Sequence, residues 1–471
     1  VRASRRVLAV LVLIAMGAMG VALFRTETTS PPPQRPPAPT RPNILIFTVD
    51  TLRADHTSAY GYERETTPTL TSLAARGTRF TRAYSSSSWT VPAVASLLTG
   101  RIPSAHGVMH GLWLDHETVL GQETLPPEIP TIASALHDAG YRTAAVVANV
   151  HLDAALGFSH GFDTYTALDF SATTTEVAPA VTTALATLRT GDAPFLLWVH
   201  LIEPHAPYVP RRPIFETWWP ADRPQYTAID GFMLEEFLDG MMTRQNIPHD
   251  DGLAYAIAAY DSEIATADGY LRTLLDTIDD GHLATVFAAD HGEEFHDHFL
   301  IGHGHTAFDE VVRVPLIVAL PGGHAQLATT RVSIVDVLPT VLELAHVAAP
   351  EGLDGRSLVP ATRGETLEDR DIVIETGRGI EVVQAIIHDG VKYGRRTRPN
   401  PIEGLFDLDA DPHETSNLLP ERADTAAALG ARLDAYITAA EARRPPMTVV
   451  PPPLSPELRA QLEALGYVRS P

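Results

Sequence analysis

Asp290 and His291 stand side by side at the end of an apolar run, Leu283 to Ala289, and His296, Asp297, His298, His303 and His305 follow close behind. Carboxylate and imidazole side chains together bind divalent cations. A continuous apolar run of this length reads as a strand buried on both faces. In open α/β sheets, ligands gather where such strands end. Asp290 and His291 are therefore candidate metal ligands, against the plainer reading of a solvated histidine-rich loop.

The same signature recurs upstream. A run from Ile44 to Val49 stops at Asp50, one from Thr143 to Ala148 stops at Asn149 and His151, and one from Phe195 to Val199 runs into His200, Glu203 and His205. Helical patterns lie between and beyond them, at residues 67–77, 131–140, 251–276 and 333–347, the last with Pro339 as an expected kink. A further strand is expected over residues 314–320. Strands alternating with helices predict an α/β fold, a mainly parallel central sheet with helices on both faces. If the strands share a direction, Asp50, Asn149, His151, His200, His205, Asp290 and His291 converge on one sheet edge.

The segment Trp89-Thr90-Val91-Pro92 to Gly100-Arg101 reads as a short helix, with Pro near its start and Gly at its end. Thr90 falls at or near the N-cap. It either caps the helix or sits where backbone N–H groups meet a bound anion.

The rest of the chain bounds the answer. Its 471 residues are 45% apolar and 20% charged, ordinary for a globular protein. Asp and Glu number 58 against 35 Lys and Arg, a net charge of -23 that argues against nucleic acid as a partner. The absence of Cys excludes disulfides and thiolate chemistry. Arg2, Arg5 and Arg6 precede an uncharged apolar run, so residues 1–24 read as a signal peptide or membrane anchor. Residues 25–42 then form a Pro-rich linker. The expectation is export, to the periplasm or outside, with membrane anchoring through this segment left open. Residues 43–370 make the catalytic domain. Residues 371–471 make a smaller antiparallel sheet with a helix at 423–442, followed by a Pro-rich stretch at 445–453 and a last helix at 456–465.

The ordered blocks from Pro42-Asn43 to Asp50, from Thr90 to Arg101, at Gly161-Phe162-Asp163, at Asp290-His291-Gly292, at Arg313-Val314-Pro315 and at Leu405-Phe406-Asp407-Leu408 resemble the sulfatase family of the alkaline phosphatase superfamily. The family converts a Cys or Ser to formylglycine within a Cys/Ser-x-Pro-x-Arg context. Here those places hold Thr90 and Val94. The second Asp of the first metal strand is Thr51, and the Lys of the Lys-x-His block is Asn149. The set that remains resembles the phosphoethanolamine and phosphoglycerol transferases of the superfamily, which use a metal-bound Thr and carry a histidine like His303.

The resemblance implies Asp50, Thr90, Asp290 and His291 around a divalent metal ion. Zinc or manganese is favoured by the histidine and the lost oxygen ligand, with calcium left open. Thr90 would attack sulfur or phosphorus. His303, His205 or His151 would protonate the departing oxygen, and Arg101 would pair with a ligand carboxylate. The expected activity is metal-dependent hydrolysis of a small anionic sulfuric or phosphoric ester. The alternatives are a phosphoethanolamine- or phosphoglycerol-type transferase and a catalytically inactive binding protein on the same fold.

Overall fold

The structure, a computed structural model, describes residues 41–110, 112–115, 118–169, 172–227, 240, 242–378, 381–398 and 401–447. The expected leader, most of the Pro-rich linker and the final helix lie outside the described residues. No helix among the described residues is long and apolar enough to cross a membrane.

Eight strands form the central sheet: β1 (Asn43–Val49), β2 (Gly77–Phe80), β3 (Arg142–Val147), β4 (Thr164–Ala167), β5 (Phe195–Leu201), β6 (Leu283–Ala289), β7 (Leu316–Ala319) and β8 (Gln326–Ala328). Their order across the sheet is β8-β2-β7-β6-β1-β5-β3-β4. The four strands expected to carry chemistry are thus neighbours, β6-β1-β5-β3, and they run parallel. Val49 is level with both Ala289 and Leu201, so Asp50 and Asp290 leave the sheet side by side. β7 runs antiparallel to both its neighbours. The connection from β6 carries a short antiparallel pair, Glu294–Phe295 with Ile301–Gly302, and the one-turn helix Asp309–Val312, but no crossover helix, so the chain re-enters from the edge it left.

The longer helices among the described residues are α1 (Pro68–Ala74), α2 (Thr90–Thr99), α3 (Ile132–Asp138), α4 (Thr174–Leu188), α5 (His249–Ile278), α6 (Val337–Leu344) and α7 (Ala423–Glu441). α4 packs on β3 and β5, and α1 on α5. Pro339 does not lie mid-helix. A 3₁₀ turn, Ile334–Asp336, precedes α6 and leaves Pro339 in the first turn, where its missing N–H costs no helical bond.

The C-terminal sheet is antiparallel as expected: β9 (Ile372–Arg378), β10 (Glu381–His388), β11 (Val391–Arg398) and β12 (Ile402–Asp407), in that order. Strand alternation divides its side chains. Val373, Ile386, Tyr393 and Leu405 pack against Leu429 and Leu433 of α7. Ile374, Val383, Ala385 and Phe406 pack on the other face, against Val311 and Val312 from the segment after β6. The small sheet is therefore cemented to the loop that carries the histidines.

Candidate active site

Asp50 is fully buried at the end of β1. Its Oδ2 accepts from Asn149 Nδ2 at 2.7 Å and lies 3.4 Å from both Thr90 Oγ1 and His200 Nε2. Its Oδ1 is 3.4 Å from His291 Nε2. Asp290, also buried, accepts the His291 and Thr51 amides on Oδ1, at 2.8 and 3.3 Å. Thr51 holds its amide there from φ +53, a conformation a β-branched residue adopts only under constraint.

The donor inventory shows what this cluster lacks. His291 Nδ1 faces the Gly292 carbonyl at 2.8 Å, an acceptor only, so the proton sits on Nδ1 and the Nε2 lone pair lies beside the carboxylates, one more acceptor among them. Thr48 Oγ1 accepts from Trp198 Nε1 at 2.9 Å and lies 2.9 Å from His200 Nδ1 and 3.3 Å from the Val199 carbonyl oxygen. All three are satisfied when His200 donates from Nδ1 and Thr48 donates to the carbonyl, which leaves an acceptor lone pair on His200 Nε2. Asp50 Oδ1, Asp290 Oδ2 and His200 Nε2 are buried without a hydrogen bond among the described residues. Asp50, His200 and Asp290 each bring a ligand atom within 4.8 Å of the others. Converging acceptors with no donor between them fit a cation of carboxylate and imidazole preference.

The carboxyl groups respond to this crowding. Burial pushes Asp290 well above the usual carboxylate range, and the neighbouring Asp50 adds to it.

Thr90 is the first residue of α2, and Trp89 is the N-cap without a side-chain cap bond. The capping reading of Thr90 therefore fails. Its Oγ1 turns instead to Asp50 and to His291 Nε2, 3.3 Å away. The segment before it is stitched to β9. Thr376 Oγ1 accepts from the Ser88 amide at 2.8 Å and meets Ser87 Oγ and Ser88 Oγ at 2.8 and 3.0 Å. The Glu375 amide donates to the Ser86 carbonyl at 2.8 Å.

His303 faces His291 with ring centroids 4.5 Å apart, and His205 faces His303 at 5.0 Å. His303 Nδ1 pairs with Glu293 Oε1 at 2.8 Å, and Tyr208 donates to Glu293 Oε2 at 2.8 Å. Arg53, buried, donates to the Glu293 carbonyl oxygen at 3.1 Å and to Asp297, which fixes the loop. Gly292 is required by a close approach, since a Cβ there would lie 2.0 Å from the Glu310 carbonyl oxygen. His151 packs edge-on against Trp89 at 5.6 Å, beside Thr90.

Arg101 is not brought to the carboxylates. It follows the C-cap Gly100 at the far end of α2, about 15 Å along the axis from Thr90 by helical rise. Its guanidinium donates to the Glu351 carbonyl oxygen. Asn149 and His200 were expected at this sheet edge but not among the ligands, and Glu293 and Tyr208 had no role in the sequence reading. The signal for His200 was its place: it extends the apolar run of β5 and sits level with Thr48, two residues before Asp50.

The profile described as Sulfatase matches residues 42–347, and that described as N-sulphoglucosamine sulphohydrolase, C-terminal, matches residues 303–440. The chain belongs to the sulfatase family. This sulfatase is 26% identical over 437 residues to the uncharacterized sulfatase YidJ of Escherichia coli, covering 78% of this chain and 83% of that one. It is 26% identical over 436 residues to the Delta 4,5-hexuronate-2-O-sulfatase of Bacteroides thetaiotaomicron, covering 84% and 89%. Its fold matches the crystal structure of the phosphonate monoester hydrolase of Agrobacterium radiobacter with a TM-score of 0.66 at 20% identity, over 85% of this chain and 96% of that chain. The sulfatase is accordingly a hydrolase acting on ester bonds.

Proposed function

We propose that this sulfatase hydrolyses a small anionic sulfuric or phosphoric ester through Thr90 as nucleophile, with Asp50, His200, Asp290 and His291 holding a divalent cation, zinc or manganese by donor type. One observation carries the reading: the Thr90 hydroxyl leaves its helix uncapped and points at Asp50 and His291, at 3.4 and 3.3 Å. A cation in the acceptor cluster supplies charge neutralisation for the anionic ester and acidifies a hydroxyl beside it.

The chain's own groups then account for the rest. Thr90 Oγ1, its hydroxyl proton released to solvent, attacks sulfur or phosphorus and the bond to the ester oxygen breaks. The departing alkoxide takes a proton from His303, which Glu293 orients, or from His205 beside it. The amides at the start of α2 stabilise oxyanions of the transferring group. Water, giving one proton to the same histidine, attacks the sulfur or phosphorus of the Thr90 ester; the bond to Thr90 Oγ1 breaks and that oxygen takes a proton back from solvent, which restores the alcohol. An alkyl ester of Thr cannot collapse to an aldehyde as a formylglycine ester can. Both displacements occur at the central atom, a requirement that favours phosphorus over sulfur.

The test is purified protein loaded with zinc or manganese and assayed on aryl sulfate, phosphate monoester, phosphodiester and phosphonate. Thr90→Ala should abolish turnover, and mass spectrometry of quenched wild type should find the added group on the peptide holding Thr90. Full activity in Thr90→Ala refutes the nucleophile. Turnover only with a lipid alcohol as acceptor would favour the transferase. A metal-free folded protein with no turnover would favour a binding role. The basic start and apolar run of residues 1–24 support export, and recovery of active protein from the cytosol alone would count against it.

A further inference from the structure

A cavity of about 320 Å³ lies between the face of the C-terminal sheet and the loop after β6. We propose that it receives the organic group of the ester, and that this group is uncharged and largely apolar, an aryl or alkyl moiety rather than a polyanionic sugar. The proposal rests on the hydrolase reading above and adds the substrate class.

Position is the first argument. His305 and Thr306 line the cavity. His303, two residues earlier, faces His291 across 4.5 Å. One short segment therefore presents a histidine to the reacting centre and a wall to the cavity.

Chemistry is the second. Phe308, Val383 and Phe406 line the interior, and Leu300 and Ile402 stand 41% and 56% exposed on its lining. Large apolar side chains left in water beside an apolar hollow mark a surface that an apolar group can cover. Three ionic groups of the wall, Lys392, Arg395 and His305, are already paired. Lys392 Nζ donates to the Ala307 carbonyl oxygen, Asp309 and Glu414, at 2.9, 2.8 and 2.9 Å. Arg395 is taken by Gln384 and Asp434, and His305 by Glu381 at 2.9 Å. An ionised ligand group would have to break these pairs, whereas an apolar one leaves them intact. The net charge of -23 further opposes a polyanionic substrate.

The backbone keeps the space open. Gly394 and Gly404 face each other across β11 and β12, and both line the cavity. Glycine inside a strand weakens it, so its place here needs a reason, and close approach of a ligand is one. A Cβ on Gly394 would meet only the Ala385 Cβ, at an ordinary 3.8 Å. A larger side chain is thus accepted by the fold and would grow into the cavity.

Gly394→Leu makes the experiment. Two esters with the same anionic group, one of methanol and one of 2-naphthol, are compared in wild type and variant, with thermal unfolding to show that the variant is folded. The ratio of kcat/KM for the naphthyl ester to that for the methyl ester should fall at least tenfold, through KM of the naphthyl ester. A ratio unchanged within twofold overturns the proposal. Binding of free 2-naphthol, followed by its fluorescence, tests the cavity without turnover: wild type should bind it saturably and the variant should lose that binding. If wild type hydrolyses neither ester, the hydrolase reading fails, and the naphthol arm still decides the cavity, since no saturable binding to wild type overturns it. Should Gly394→Leu not fold, Ile402→Glu at the exposed lining should move both readouts in the same direction.

Discussion

Asp290→Asn should make the metal-free protein more stable and the metal-loaded protein less responsive. In wild type the ligand oxygens of Asp50 and Asp290 lie within 4.8 Å. At that distance, with an effective dielectric of about 20, two unit charges repel by about 3 kcal/mol. Asn keeps Oδ1 for the His291 and Thr51 amides and puts an NH₂ where Oδ2 faced acceptors. It removes the repulsion without orphaning a donor. For 471 residues the unfolding entropy is roughly 1 kcal/mol per kelvin, so Tm under chelation should rise by about 1–3 °C. Loading with zinc or manganese at a hundred times Kd stabilises wild type by about 2.7 kcal/mol, close to 3 °C, and should do little for the variant. The variant's advantage under chelator is then lost or reversed in metal. The gap under chelation should also widen with pH. Asp290 is raised in the fold, so the unfolded carboxyl ionises first and stability falls as pH rises above the ordinary value of 3.8. Calorimetry in chelator and in metal, at two pH values, measures all of this. A variant less stable than wild type under chelation, or a metal shift of equal size in both, refutes the cation site.

Glu293→Gln leaves one of two donors, His303 Nδ1 or the Tyr208 hydroxyl, facing an NH₂. Activity should fall about 10–100-fold, and steady-state rates should show alkyl esters, which need a proton on leaving, losing more than activated aryl esters; equal loss for both would remove His303 from that role. Thr376→Val deletes the acceptor of the Ser88 amide and should lower kcat about tenfold with KM within twofold, since an orphaned buried donor costs about 1–3 kcal/mol. Thr376→Ser should restore it, and a failure of Ser to rescue would make the contact mere packing. His298 is half-buried; burial lowers its pKa, but the Glu310 contact at 2.6 Å and its charge push it up to about 9. The loop's hold on Glu310 is thus complete below the ordinary imidazole range and lost as pH passes 9. Protection of residues 296–300 from hydrogen exchange, taken relative to the intrinsic base-catalysed rate, should hold below the ordinary imidazole range and fall as pH rises towards 9.

Much of this protein was legible along the chain. The runs ending at Asp50, Asn149, His200 and Asp290 became four adjacent parallel strands, because a continuous apolar run leaves the chain little choice but a sheet covered on both faces. Residue type alone marked the metal-ligand candidates, and the small antiparallel sheet was visible in its short runs and turns. Direction and partnership were not legible. β7 has the apolar run of its neighbours yet lies antiparallel, because that depends on whether the preceding connection crosses a face. Arg101 had the right charge and the wrong end of α2. Thr90 could have been a cap until the direction of its hydroxyl was known. His200 joins Asp50 and Asp290 only because β5 continues past Val199 and Thr48 holds its ring. Composition and periodicity are properties of one segment at a time, and they determined which segments could supply ligands. Which atoms of Asp50, His200, Asp290 and His291 face one another depends on register and on hydrogen bonds between residues far apart in the chain, and tertiary structure alone decides that.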